Sequence, residues 1–513
     1  MNLIRLGLLG VLSLPLGLAA QTPARSEPSN AACEVRENDT AAKLLECIRS
    51  GELRRHLAAF QAISDANPGP DGHGDRDTGT NGYKASLDYV AALMIKAGYS
   101  VTIQPYDYEG SHLVGAPSFA TARGAYGFGQ EWHVARLSGS GDVNAAVQPL
   151  RGAGAETASG CTLADYAGFE PGAIALIELG RCDLDIVVAN AKAARAAAVV
   201  VYNRASDAPV VTKKRRDGGA FEGALSTLAD MPVLAVVANA IGVELGRRFD
   251  AGEAPVAHIA VQTAHAPKID YNLIADAPFG DPDHVVVVDA HLDSIYGAGI
   301  LDNASGSATI LEIALKLAHT HSVNQMRYIW FGGEEINLLG SKYYTRALAT
   351  NELGKIVFDL DADVIATPNY DILVADPTYA PNAAKFPANV VRQSAVGNAA
   401  LLDYFANLGI PAQSARFGNQ GTDSNSFALA GVPNSGILTQ QDCCKAKWEV
   451  AIWGGYRGNY EGDIPSFNGG CVDNPHRWCD NLANNINMTI METVSKGFAA
   501  ATLTLAQDAT LGR

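Results

Sequence analysis

The run "VVVVDAHLDSIYGAGILDN" starts with small and apolar residues and then delivers His291 and Asp293, with Asp302 eleven positions beyond the histidine. Two later runs end in the same manner. "MRYIWFGGEE" closes on Glu334 and Glu335, and "KIVFDLDADVIATPN" carries Asp359, Asp361 and Asp363 at alternate positions. Singly, each has a plain structural explanation. A His-x-Asp is commonly a hydrogen-bonded pair, and paired glutamates favour the positive end of a helix that follows them. A strand aspartate is harder to dismiss, because a buried carboxylate is costly unless it is paired or bound to a cation. Together the runs bring imidazole and carboxylate, and no thiolate, to one place. That donor set suits one or two divalent ions, zinc most readily.

Strands over 284–290, 326–332 and 355–365 would carry these residues, alternating with helices over 304–318 and 335–348. This rhythm predicts an α/β fold: a mixed, mostly parallel central sheet flanked by helices. In such sheets ligands gather beyond the carboxyl ends of the strands, where the chemistry-bearing side chains fall. Asp359, Asp361 and Asp363 share one strand parity, so periodicity does not separate them. If a C-terminal histidine completes the site, His476 is the sole candidate, since it alone of the 11 histidines lies beyond residue 321. A disulfide between the flanking Cys471 and Cys479 could hold its loop.

Upstream, apolar positions at helical spacing run through 40–62. A second helix stops at Gly98, and a strand with Val101 and Ile103 follows. Between 125 and 262 the character changes to short apolar runs ("AIALIELG", "AAVVVYN", "MPVLAVVA") with one helix near 187–197. This reads as a compact β-rich module inserted into one α/β domain, whose parts are 21–124 and 263–513.

A chain of 513 residues is too long for a single core. Its 48% hydrophobic and 18% charged content is that of a well-cored globular protein. The formal charge of −16 argues against nucleic acid or an anionic membrane as partner. The run Lys213–Arg216, "KKRR", is read as an exposed basic loop. At the start, Arg5 precedes an apolar stretch over 6–18 and the small pair Ala19–Ala20. This predicts an export signal over 1–20 and a secreted or periplasmic protein. No later segment is apolar enough for a membrane anchor, and a monomer is expected. The 8 cysteines, an even and locally grouped set, agree with an oxidising compartment.

The segments "DAHLDSIYGAGILDNASGSA", "WFGGEEINLLGS" and "DVIATPNYDILV" resemble the two-zinc exopeptidases of metallopeptidase family twenty-eight, which include secreted leucyl-type aminopeptidases. The opening stretches "RHLAAFQAISDANPG" and "GTNGYKASLDYVAALMIKAGY" resemble that family's first helices. The resemblance implies two Zn2+ ions per chain, with His291 and Asp363 on one, Glu335 and His476 on the other, and Asp302 bridging. It implies Glu334 as general base and then general acid, and Asp293 as the group orienting the His291 ring. Where family aminopeptidases often carry a tyrosine just before the last histidine, this chain has Pro475; Tyr456 or Tyr460 is a candidate to stand in. The inserted stretch "SGCTLADYAGFEPGAIALIELGRCDLDIVVANAKAARAAAVVVYN" resembles the protease-associated domain, with Cys161 and Cys182 at its usual cysteine pair. Its implied role is a lid or access element.

The expected function is therefore a zinc aminopeptidase acting on peptides or small proteins with a free N-terminus, through a water activated by two metals and a glutamate base. A carboxypeptidase or dipeptidase on the same scaffold is the alternative, and a basic residue facing the metals would favour it. A single-zinc glutaminyl cyclase or a non-catalytic binding module fits less well, because all five ligand positions and Glu334 are present.

Overall fold

The apolar runs flanking the candidate ligands fold as eight strands of one sheet: β1 (Ser100–Leu113), β2 (Thr263–Asp276), β3 (Asp281–His291), β4 (Asn324–Phe331), β5 (Ile356–Ala362), β6 (Leu373–Asp376), β7 (Gln413–Arg416) and β8 (Asn434–Leu438). This computed structural model describes residues 28–512 apart from 70–71, 152–158, 181, 205–217, 296, 377–385, 417–421, 442–443 and 462–478. The leader expected over 1–20, the run Lys213–Arg216, Pro475 and His476 lie outside the described residues.

Across the sheet the order is β1-β2-β4-β3-β5-β8-β6-β7. β3 is parallel to β4 and β5, β5 to β8, and β6 to β7; the remaining pairs are antiparallel. The sheet is thus mixed, as expected. β3 is buried on both faces. Val286, Val288 and Ala290 pack with the helices Ser305–Leu317 and Met488–Gln507, while Val285 and Val287 meet Tyr344 and Phe427 of the helices Leu339–Ala347 and Ser424–Leu429. The apolar run Val285–Val288 within β3 fits only such a doubly covered position.

Caps and left-handed residues set the element ends. Thr80 caps the helix Asn81–Lys96 by accepting from the Tyr83 amide, and Gly98, at φ 94, takes the left-handed turn that stops it. The strand expected to reach 365 ends at Ala362, because Val364 turns left-handed at φ 52. The helix expected from 335 starts at Leu339, because Asn337 and Leu338 sit at φ 75 and 59. Both differences fall at the mouth where the candidate ligands gather.

The inserted module forms a second sheet of seven strands, in the order Gly124–Ala125, Ser118–Thr121, Val256–Val261, Gly141–Pro149, Ile174–Glu178, Ala198–Tyr202, Val233–Val237. The helix expected near 187–197 spans Leu184–Ala193, and a second helix lies at Asn239–Asp250 with Ile241 and Leu245 buried one turn apart. A ribbon joins the module to the principal sheet. β1 and β2 pair from Ser100 with Asp276 to Leu113 with Thr263. β2 meets β4 only over Leu273–Asp276, so the outer ribbon projects as a two-stranded arm. Cys33 pairs with Cys47 and Cys161 with Cys182. Cys444 and Cys479 are also disulfide-bonded. Among the described residues no helix is long and apolar enough to cross a membrane.

One charge cluster is buried away from the candidate site. Glu312 Oε1 lies 3.0 Å from Lys316 Nζ, and Oε2 lies 3.2 Å from His56 Nε2, with all three side chains nearly inaccessible. Burial acts to raise the Glu312 pKa, but its bonds to His56 and Lys316 outweigh burial and hold it below the ordinary 4.5. Glu312→Ala would leave His56 without its carboxylate and Lys316 with only Asn30 and Glu34, the latter at 3.4 Å, at a cost of about 1–3 kcal/mol, read as a lower urea midpoint at pH 7. The sign of the pH effect follows from the lowered value. The stabilisation is complete above 4.5 and is lost as pH falls through the folded-state value, so the gap between wild type and variant narrows in acid.

Candidate metal centre

β3 ends at His291, whose side chain is 1% exposed. Its Nδ1 lies 3.0 Å from the main-chain oxygen of Asp293. In the neutral ring that contact places the proton on Nδ1 and leaves a lone pair on Nε2. Nε2 faces Asp302 Oδ1 at 2.9 Å and Asp363 Oδ1 at 3.1 Å. Glu334 and Glu335 form a second group with the same ring, their donor atoms all within 4.8 Å of one another. Burial works against an imidazolium here, yet the carboxylates of Glu334, Asp363, Asp293 and Asp302 outweigh it and raise the His291 pKa well above its usual value. The pocket attracts positive charge. One imidazole nitrogen and several carboxylate oxygens converging in a buried site have the donor chemistry of a zinc centre, so the residues present fit that ion.

The local backbone makes this convergence possible. Asp302 and Asn303 interrupt the helical turns between 300 and 304 with φ −116 and −132, and the peptide joining them is cis. The Asn303 side chain staples this segment to the end of β5. Its Nδ2 donates to the Ala362 oxygen at 2.9 Å, and its Oδ1 accepts from the Val364 amide at 3.2 Å, on either side of Asp363. From the C-terminal region, Asp480 accepts from the amides of Leu301 at 2.7 Å and Asp302 at 3.1 Å. Asn485 donates to the same Asp480 carboxylate at 3.1 Å. Burial raises the Asp480 pKa to about 7 despite these bonds.

The glutamate pair sits on a tight loop after β4. Gly333 is left-handed at φ 68, and a Cβ on Gly340 would lie 2.3 Å from the Gly332 oxygen. The Asp293 carboxylate organises this loop. Its Oδ1 accepts from the Glu334 amide and its Oδ2 from the Glu335 amide, both at 3.3 Å, and Thr78 Oγ1 donates to Oδ2 at 2.7 Å. The His291 Nδ1 thus meets both the main-chain oxygen of Asp293 and, at 3.6 Å, its carboxylate, and the same carboxylate holds the glutamate amides.

Of the expected site residues, the structure brings together His291, Asp302, Glu334, Glu335 and Asp363. Asp363 stands just past the strand end, whereas Asp359 and Asp361 lie deeper, 0% and 3% exposed. Burial, and then neighbouring carboxylates, push Asp359 well above the usual carboxylate range and Asp361 to about 7. Tyr460 is buried with its hydroxyl donating to Asp371, and Tyr456 is exposed. Thr78 and Asp480 carried no local signal in the sequence, because each acts on a residue distant in the chain. A cavity of about 300 Å³ is lined by Glu334 and Glu335 together with Arg136, Leu179, Phe221 and Glu222 of the module.

Comparison with known proteins agrees with this geometry. Residues 272–502 match Peptidase family M28 and residues 144–241 match the PA domain. An aminopeptidase of Pseudomonas aeruginosa is 30% identical over 467 residues, covering 90% of this chain and 81% of the relative. A probable lipoprotein aminopeptidase, LpqL, of Mycobacterium tuberculosis is 28% identical over 81% of this chain and 79% of its own length. Among solved structures, the aminopeptidase from Aneurinibacillus sp. strain AM-1 superposes with a TM-score of 0.65 at 20% identity, covering 92% of this chain and 97% of that one. BSAP, a zinc aminopeptidase from Bacillus subtilis, superposes with a TM-score of 0.56 at 19% identity over 90% of this chain and 96% of its own.

The Asp480 contacts yield a test. Asp480→Asn keeps the shape but turns an amide N–H₂ toward one of the two backbone donors. Zinc affinity, measured by competition with a chelator, should fall roughly ten- to hundredfold, as for other groups that orient a metal ligand.

Proposed function

The chain belongs to peptidase family M28, and on that premise we propose that it is an exported zinc aminopeptidase working through two ions. The observation that carries this is the convergence of the His291 imidazole with the carboxylates of Asp302 and Asp363 on one side and of Glu334 and Glu335 on the other. His291 and Asp363 would hold one ion, Glu335 and His476 the other, and Asp302 would lie between them. Bound there, zinc supplies Lewis acidity that polarises a scissile carbonyl and makes water a better nucleophile near neutral pH.

The remaining work falls to the chain's own groups. Glu334 takes the proton of the attacking water and returns it to the departing amine, the acid–base role that a carboxylate within reach of both atoms can play. Asp293 and Thr78 fix its loop, so the proton acceptor is in place before substrate arrives. The acidic rim at Glu334 and Asp363 suits a substrate's free ammonium group. A carboxypeptidase would instead need a cation for the terminal carboxylate. Arg136 is the basic residue lining the glutamate cavity, and it is already occupied, with Glu222 Oε1 at 3.1 Å and Asp77 Oδ2 at 3.7 Å. Export is supported by the disulfides and by the apolar stretch at 6–18.

Two measurements test this. Aminoacyl anilides should be hydrolysed and their N-blocked counterparts spared, with a chelator abolishing turnover; equal cleavage of the blocked substrate would remove the aminopeptidase assignment. Glu334→Gln should retain zinc while kcat falls about 10²–10⁴-fold, and near wild-type turnover would show that Glu334 is not the proton shuttle.

A further inference from the structure

A larger cavity of about 530 Å³ lies between the projecting arm and the inserted module. Seven consecutive residues of β1, 107–113, line it, while its paired strand β2 contributes only Thr263 and Lys268. The cavity therefore lies against the edge of β1 that faces away from β2. β1 is an edge strand, and β2 is its sole strand partner among the described residues. In an antiparallel pair, alternate residues turn their backbone N–H and C=O away from the partner, which makes such an edge a template for another strand. The opposite wall is the module segment 133–137, held by bridges from Val134 to Leu234 and from Arg136 to Ala224.

Arg136 and Glu222 line both this cavity and the smaller one containing Glu334 and Glu335, so the two spaces meet at that ion pair. The larger volume is more than one terminal residue needs; pockets of roughly 300–1,000 Å³ take ligands of several residues' size. Its charged lining has both signs, Asp77, Asp107, Glu109 and Glu222 against Lys268 and Arg136, with Arg136 paired to Glu222 and Asp77. At about 3.3 Å per residue, the lining stretch of β1 is roughly 20 Å long, room for several extended residues.

We propose that this cavity is a subsite for the part of the substrate that follows the scissile bond, which adds as a strand to the open edge of β1 beneath the module segment 133–137. The subsite rests on the aminopeptidase assignment above. Main-chain pairing supplies affinity, as in other strand-addition complexes, so recognition depends on chain length more than on downstream side chains. The Arg136–Glu222 pair stands at the passage between the subsite and the glutamates.

The test uses the whole zinc-loaded protein, a leucyl anilide, and leucyl peptides lengthened one alanine at a time. With the subsite, kcat/KM rises along the series by about tenfold for each pair of main-chain hydrogen bonds gained, chiefly through KM. N-methylation of downstream amides removes the gain, and Ser111→Trp, which fills the cavity, flattens the series. Anilide turnover accompanied by a flat series, or by a rise indifferent to N-methylation, overturns the subsite alone. Absence of anilide turnover overturns the aminopeptidase assignment and the subsite with it.

Discussion

Lone pairs that point at one another in a buried place repel, and at the mouth of this sheet they are made to converge. The His291 ring directs Nδ1 to a main-chain oxygen and Nε2 to two carboxylates, with two more close by. Such a cluster persists only if positive charge enters it or if the surrounding structure holds it open. The structure does hold it open. Asn303 ties the Asp302 segment to the end of β5, Asp480 grips the amides of Leu301 and Asp302, and the Asp293 carboxylate holds both glutamate amides. The donors come from several elements: His291 is held at the main-chain oxygen of Asp293, and the amides of Asp302, Glu334 and Glu335 donate to the carboxylates of Asp480 and Asp293. This pre-organisation lets a cation bind without reordering the chain, and it spends folding energy on a geometry that is unfavourable without the cation.

The parts of this centre legible in the sequence were those governed by strand ends. An apolar run that stops at His291, another at Glu334 and a third at Asp363 announce both the sheet and the rim where ligands gather. Periodicity could not choose among Asp359, Asp361 and Asp363, because all three share a face; the choice depends on depth, which only packing reveals. The left-handed turns at Asn337, Leu338 and Val364 were equally hidden, since none is glycine and each is imposed by the crowded mouth. Asp480 and Thr78 act across more than a hundred positions of chain, a relation no local pattern contains. For Asp293 the residue was legible, but not the hydrogen bonds its carboxylate accepts from the Glu334 and Glu335 amides.

The inserted module contributes to the centre as well as to the outline of the molecule. Its Arg136, Leu179, Phe221 and Glu222 share a cavity with the glutamate pair, so a substrate meets two separately folded sheets at once. Contact across the junction is polar: Arg136 approaches Asp77, and Asn337 donates to Ser226. A polar junction of this kind resembles the interfaces between domains that move relative to one another more than it resembles a hydrophobic core.

The ribbon of β1 and β2 enters and leaves the module side by side, in unbroken register from Ser100 with Asp276 to Leu113 with Thr263. The peptidase part therefore sees the module's two ends as neighbours, the spacing that a short hairpin turn would equally satisfy. In evolutionary terms the module is a cassette. Exchange of the module at the tip of one ribbon would leave intact the strand order that carries the His291 rim.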